Sequence, residues 1–417
     1  MSSKLTIRIK KRKQPEYLIL LIVFLPFLFG VLLDFMLLPN ALKYVLDLAW
    51  VVLLALMFMN LEICKAVTRS VSILIVGFIV FVLATFVIYI FNYQSVFYYL
   101  WGVRNNFRFF VLFFACIIFL KREDANDFLK FFEIFFWVNA IITAVQYFAF
   151  GIEGDKLGGV FGSTVGCNRY TNLFFGIITA KAIIYYLNKQ EKLWSLILKS
   201  GVMMVIAALA EIKFFYIEFV IIIIAAVLLT DFSVRNVIVI VGGLIAASFG
   251  AFLLVRFFPD SAGFLSLEGI MEIAASEKGY TSSGDLNRLT ALSTISNDFL
   301  TTIPKKLFGL GLGNCDMAAY DFLMTPFYRQ YSFLRYDWFS HAFLFLETGY
   351  MGLLFHFGFY IFVFIKAIKK TAILQKTMYN QIAAIVAICC IINTFYNASL
   401  RSEAGYMAYF VLALPFL

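Results

Sequence analysis

The chain has 417 residues, of which 63% are hydrophobic and 14% charged. Soluble domains carry roughly 45–50% apolar and about 25% charged residues, so too few charges are present to clothe two or three water-soluble cores. The 34 basic and 25 acidic residues give a net charge of +9. In a polytopic membrane protein that excess fits cytoplasmic loops held inside by their Lys and Arg, rather than nucleic-acid binding.

The predicted elements begin with a basic segment, 1–16, carrying Lys4, Arg8, Lys10, Lys11, Arg12 and Lys13. The apolar run from Tyr17 to Leu33 follows with no small-residue cleavage site, so it reads as an uncleaved first span with its basic end in the cytoplasm. Crossing the hydrocarbon takes about 20 apolar residues. Further spans are expected near 41–61, 71–91, 105–120, 128–150, 170–187, 193–210, 214–230 and 236–258. The last three fall near 341–365, 379–395 and 404–417. The expected fold is all-α, a transmembrane helical bundle of about 12 spans. It divides into a first bundle over 17–258, a loop over 259–340 and C-terminal helices over 341–417.

One division decides the topology. From Trp194 to Leu229 the chain is nearly all apolar and too long for one crossing, with Glu211, Lys213 and Glu218 in its middle. A split there puts Lys65/Arg69, Lys121/Arg122, Lys189/Lys192, Arg235 and Lys366/Lys369/Lys370 in the cytoplasm together with both termini. The outer side then holds 34–40, 92–104, 151–169, 211–213, 259–340 and 396–403. The 259–340 loop, at roughly 80 residues, is far longer than a plain connection, and such loops usually carry function.

Six cysteines include no CxxC pair, so no zinc or redox site is expected. Cys64, Cys116, Cys389 and Cys390 lie in or beside apolar runs, whereas Cys167 and Cys315 fall in outer loops, which leaves a disulfide between them open.

Positive charge on the outer side runs against the sorting rule and is the informative subset. Arg104 and Arg108 flank the start of the fourth span, and Arg169 closes the Gly-rich loop 158-GGVFGSTVGCNRYTN-172. Lys213 sits at the split, Arg288 lies in 285-DLNRLTALSTISNDF-299, and Arg401 is near the end. Any one alone reads as an interfacial side chain beside headgroups, and Glu211 or Glu218 can simply neutralise Lys213. Several converging would form a socket for a bulky anion such as pyrophosphate, which the planar guanidinium grips bidentately.

His341 opens the tenth span at the outer surface, where an imidazole can move a proton. His356 follows roughly 22 Å deeper, on one helical face with His341, Thr348 and Gly352, and reads as an interhelical hydrogen-bonding residue. Asn139, Thr143 and Gln146 mark a packing face of the fifth span. Gly309, Gly311 and Gly313 lack any βαβ context and read as a tight turn. The aromatics of 327-FYRQYSFLRYDWF-339 fit either sugar stacking or an interfacial belt.

This layout resembles the O-antigen polymerase and O-antigen ligase family, many-span proteins with one large external loop late in the chain. Three segments are similar to family patterns: 288-RLTALSTISNDFLTTIPKKLFGLGLGN-314, 340-SHAFLFLETGYMGLL-354 and 158-GGVFGSTVGCNRYTN-172. Ile212-Lys213 departs from the Ser-Arg favoured near the ligases, and Cys167 and Arg169 replace a common Pro-Asn context. The resemblance implies a metal- and cofactor-independent glycosyltransferase of the bacterial inner membrane, with its site on the outer face. Donor and acceptor would be glycan repeat units on undecaprenyl pyrophosphate. Partners would be the lipid bilayer, a chain-length regulator and a flippase, with no nucleic acid. Arg288 and His341 carry over as the functional pair. Arg288, Arg169, Arg104 and Lys213 would hold the departing pyrophosphate, and His341 would take the acceptor hydroxyl's proton. A ligase moving finished glycan to a final acceptor is the alternative within the same chemistry. A transporter is the alternative outside it, against which stand the long loop and the lack of internal repeats.

Overall fold

In hydrocarbon a backbone must satisfy its own N–H and C=O groups, which an apolar chain does by forming helices. The computed structural model describes residues 14–60, 68–265, 271, 279–281, 283–318, 320–373 and 377–417. The N-terminal basic cluster, Cys64 and Lys65 lie outside the described residues. Among those described, strand-type pairing is confined to one antiparallel bridge, Tyr280 to Leu286.

Helix α1 (Gln14–Phe24) gives way to a 3-10 turn at Leu25–Leu28 and a π-turn at Gly30–Phe35, where Pro26 supplies no N–H to continue the ladder. There follow α2 (Tyr44–Met59), α3 (Ser72–Phe91), α4 (Val96–Phe119), α5 (Arg122–Phe150) and α6 (Asn168–Leu187). Next come α7 (Leu193–Leu209), α8 (Phe215–Leu228) and α9 (Val234–Phe257). The turn between α7 and α8 falls where the charges predict it, with Glu211 in the left-handed region at φ 53°. Short helices α10 (Ala291–Asp298), α11 (Ile303–Phe308) and α12 (Pro326–Tyr331) precede α13 (Ser340–Ile373), α14 (Met378–Tyr396) and α15 (Gly405–Ala413).

Eight helices among the described residues are long and apolar enough to cross a membrane. Gln14–Leu28, Leu193–Leu209, Phe215–Leu228 and Gly405–Phe416 are apolar but shorter. α4, α6 and α14 are largely buried, whereas α2, α3 and α9 turn most of their apolar surface outward. Ile73, Val76, Val80, Leu83, Val87 and Ile90 leave one exposed apolar stripe along α3. Such a stripe is at home against lipid tails.

The fourth span differs from expectation. α4 starts at Val96 rather than near 105, so Arg104 and Arg108 sit inside the helix instead of flanking its start. They are tolerated there because each meets a carboxylate: Asp47 at 2.9 Å and Glu403 at 3.6 Å. The described part of 259–340 has a core of its own. Leu286, Ala291, Ile295, Leu300, Leu334 and Tyr336 form a small core packed on Ala342, Phe343 and Phe345 of α13. Phe327, Tyr331 and Phe299 pair with one another, with ring centroids 4.8–5.5 Å apart, so much of the aromatic stretch is committed to this core.

α13 is broken at Gly349 (φ 61°, ψ −158°), so His341 and His356 do not share one continuous helical face. Carbonyls released by the break accept from the Gly-rich turn, Leu310 N–H to Leu346 at 2.7 Å and Gly311 N–H to Glu347 at 3.0 Å. A Cβ on Gly309 would lie 2.4 Å from the Glu347 carbonyl carbon, so close backbone approach demands glycine there.

At the other end of the helices, Glu133 of α5 accepts hydrogen bonds from both Lys181 of α6 and Lys199 of α7, and Lys199 also reaches Glu191. Two cations and two carboxylates close the charge balance. Lys199 is buried but Glu133 is partly exposed and keeps Lys181, so removing Lys199 costs less than the roughly 3–5 kcal/mol of a fully buried pair and more than the about 0–1 kcal/mol of an exposed one. Lys199→Ala should therefore lower the melting temperature of the purified protein clearly, while Lys130→Ala, which loosens only the exposed pair with Asp127, should not. Equal melting temperatures for the two variants would contradict this account.

Candidate functional site

The Gly-rich loop is held from below by side-chain amides. Gln146 accepts from Gly159 N–H at 2.7 Å and donates to the Gly159 and Gly162 carbonyls, and Asn139 accepts from Val160 N–H at 3.0 Å. The polar face of α5 thus grips loop backbone rather than a neighbouring helix. Gly159 has φ 61°, and a Cβ there would lie 2.2 Å from Asn139 Oδ1. The loop delivers Arg169 as the second residue of α6.

The C-terminal end of α14 organises the opposite wall. The last carbonyls of a helix lack intrahelical partners, and here other segments supply donors. Arg288 Nε donates to the Tyr396 carbonyl at 3.2 Å, and its guanidinium lies over Phe339 and Tyr396. Ser340 donates through N–H and Oγ to the Asn397 carbonyl at 3.1 and 3.0 Å. His341 Nδ1 faces the Thr394 carbonyl at 3.1 Å, and Nε2 faces the Arg288 carbonyl at 2.7 Å.

His341 is fully buried, not at an aqueous edge. Backbone carbonyls cover both ring nitrogens, so no substrate hydroxyl reaches either of them in this arrangement. The ring clamps the Arg288 backbone to α14. His356 is also buried, with Nδ1 against the Gly352 carbonyl of its own helix at 2.8 Å. Nδ1 is thus spent within its own helix and not on the interhelical bond expected of this residue.

Arg104 chelates Asp47 through Nε at 3.0 Å and Nη2 at 2.9 Å, so it carries no spare charge. Its Nη1 donates to Asn105 at 2.6 Å, Asn105 donates to Asp316 at 2.5 Å, and Asp316 lies 3.7 Å from Arg401. Arg108 Nη2 donates to the Arg401 carbonyl at 3.3 Å, and Tyr170 donates to Glu403 at 2.9 Å. Lys213 is neutralised by Glu211 at 3.0 Å, the plainer of the two outcomes its neighbours allowed. Glu218 is instead buried between the amides of Asn172 and Asn393, at 3.0 and 2.7 Å.

All five candidate residues therefore converge on one end of the bundle, but they differ in what binds them. Arg104 and Lys213 are spent on carboxylates. Among the described residues, Arg288 and Arg169 form no ion pair, and Arg169 Nε is buried without a hydrogen-bond partner. The sequence flagged Arg401 as out-of-place charge without assigning it a role. Asp316, Asp337 and Glu403 carried no motif and surface only through tertiary contact. Below Arg401 a cavity of about 20 Å³, lined by Asn105, Asn106, His356 and Thr394, holds room for about one water and none for a sugar.

Cys167 and Cys315 are buried free thiols, so the disulfide left open by the sequence is not formed. Burial first, then the charge of Asp34, pushes the Cys167 thiol up to about 12.

No protein-family model matches this chain, and no curated protein matches it in sequence.

Burial alone would push the Glu403 carboxyl up, yet Arg108, then Lys43, a backbone N–H and Tyr170 outweigh it and hold the group at about 2. A depressed folded-state value stabilises the protein above the unfolded carboxyl value of about 4.3 and loses that contribution as pH falls toward 2. Glu403→Gln should melt well below the parent at neutral pH, because Arg108 is stranded. The gap should narrow between about pH 5 and about pH 2 as the parent's own carboxyl protonates. A gap independent of pH would show that Glu403 is not ionised against Arg108.

Proposed function

We propose that this chain is a membrane glycosyltransferase polymerising oligosaccharide repeat units carried on undecaprenyl pyrophosphate. In this proposal the chain makes about 12 crossings of a bacterial inner membrane, with both termini cytoplasmic and 259–340 outside. The observation that carries it is the pair of guanidiniums without carboxylate partners, Arg288 and Arg169, brought from distant segments to one end of an apolar bundle. Preorganised cations stabilise the charge that develops on a departing pyrophosphate, and the donor's own activated bond removes any need for a nucleotide. In this proposal Arg401, 3.7 Å from Asp316, joins them once that contact parts. His341 serves as a positioning residue that fixes the Arg288 backbone. The described part of 259–340 packs on α13, and in this proposal the loop holds donor and acceptor in line.

Topology is tested first. A reporter active only outside the cytoplasm, fused at Ser283, should give signal; silence there, with a cytoplasmic reporter active, would reject this orientation.

The reaction is tested by polymer length on gels, in cells lacking the native gene and carrying each variant at matched membrane levels. Arg288→Ala and Arg169→Ala should each lower polymer formation by roughly 100- to 1000-fold, the usual loss for a preorganised donor to a developing anion. Arg288→Lys keeps the charge but loses the planar fork and should stay impaired. Lys213→Ala should remain near the parent, since its charge is already spent on Glu211. Long chains from both arginine variants would sink the proposal. Polymer accumulating on the lipid carrier would point to a ligase instead.

A further inference from the structure

With both nitrogens of His341 engaged by carbonyls, the acceptor hydroxyl needs another base. The short 3-10 turn Tyr336–Trp338 offers one. Tyr336 anchors it, fully buried, donating from its hydroxyl to the Cys315 carbonyl at 2.6 Å. On the other side, Leu286 N–H donates to the Leu334 carbonyl at 3.0 Å, and Trp338 N–H to the Arg335 carbonyl at 3.0 Å. Between these anchors Arg335 is held at φ 54° and ψ 29°, a conformation that L side chains rarely adopt.

The turn carries Asp337, half-buried and two positions from Phe339, over which the Arg288 guanidinium lies. Arg401, Arg169 and Arg335 all act on its charge, yet none forms an ion pair with it. Tyr328 and Tyr336 are its other titratable neighbours, and Asp316 lies one step further, beside Arg401. We infer that Asp337 is the catalytic base of this site, taking the proton from the acceptor sugar's hydroxyl.

This inference rests on the transferase proposal above. The acceptor oxygen forms its bond to the donor's anomeric carbon as the carbon–oxygen bond to pyrophosphate breaks. The bonding pair leaves with the pyrophosphate, toward Arg169 and Arg288, and the hydroxyl proton passes to an Asp337 carboxylate oxygen and then to water. Burial raises the Asp337 carboxyl from its ordinary value, and its own backbone N–H, Arg401, Arg169 and Arg335 oppose this without cancelling it. A raised base is ionised, and therefore active, only above its titration, so turnover should rise with pH along an acid limb.

The test uses the full chain in lipid nanodiscs. Turnover is measured on undecaprenyl-pyrophosphate repeat units extracted from cells lacking this protein, and binding is measured with undecaprenyl pyrophosphate itself. Asp337→Asn should lower kcat by roughly 100- to 10,000-fold and abolish the acid limb. It should leave undecaprenyl pyrophosphate binding equal or tighter, because a negative charge beside Arg169 and Arg401 is gone. Asp337→Glu should keep an acid limb with a displaced midpoint. That variant decides the matter if Asp337→Asn does not accumulate, since an unmoved midpoint assigns the limb to another group and overturns the inference. Parent protein that turns over none of the substrate removes the transferase proposal and this inference with it. Active parent with Asp337→Asn within about threefold of its kcat overturns the inference alone.

Discussion

Unpaired carbonyls at the C-terminal end of α14 are the constraint on which the rest of this end of the molecule depends. Thr394, Tyr396 and Asn397 expose acceptors that the helix cannot satisfy, and in an apolar setting each must find a donor. His341, Arg288 and Ser340 provide them, from two segments far apart in sequence. Asn393, one turn earlier, ties the same helix to Glu218 of α8. Phe214 stacks on Tyr396 with ring centroids 4.1 Å apart, so the turn between α7 and α8 docks there too. One helix end thereby sets the places of Arg288, His341 and the turn bearing Lys213.

Charge pairing divides the remaining polar groups into those with ionic partners and those without. Deep in the bundle each ion has partners: Arg104 with Asp47, Arg108 with Glu403, and the two lysines around Glu133. Leaving any of these alone in a low-dielectric interior is costly, so they are committed to the fold. Among the described residues, Arg169 and Arg288 escape this rule at the bundle's end, where neither meets a carboxylate. Asp337 repeats the pattern with opposite sign, among arginines but paired with none.

Loop placement follows a related logic. The Gly-rich loop and the Gly309–Gly313 turn both lie against helices at backbone-contact distance, and side-chain amides or carbonyls freed at a helix break hold them there. Arg169 owes its position to the first of these contacts. The wall that carries Asp316 and Cys315 owes its position to the second, with Cys315 N–H donating to Glu347 at 3.2 Å.

The all-helical, membrane-embedded character of this protein was legible in its sequence because apolar composition and run length alone force helices in hydrocarbon. The break at Glu211–Lys213 was legible because the apolar run from Trp194 to Leu229 is too long for one crossing and its charges mark where it turns. Which cations remain unpaired was not readable. Asp47 lies 57 positions from Arg104, and Arg108 meets Glu403 from the far end of the chain, and neither pairing leaves a local spacing signal. The disulfide failed for a similar reason: two cysteines in neighbouring loops say nothing of whether their thiols meet, and both are buried apart from such a bond. His341 looked exposed because it opens a span, yet carbonyls from α14 and from the Arg288 segment enclose it. Asp337 carried no motif at all. Its surroundings exist only once the 336–338 turn, α6 and the 397–404 loop have packed together, because long-range electrostatic partnership is a property of the folded arrangement and not of the chain.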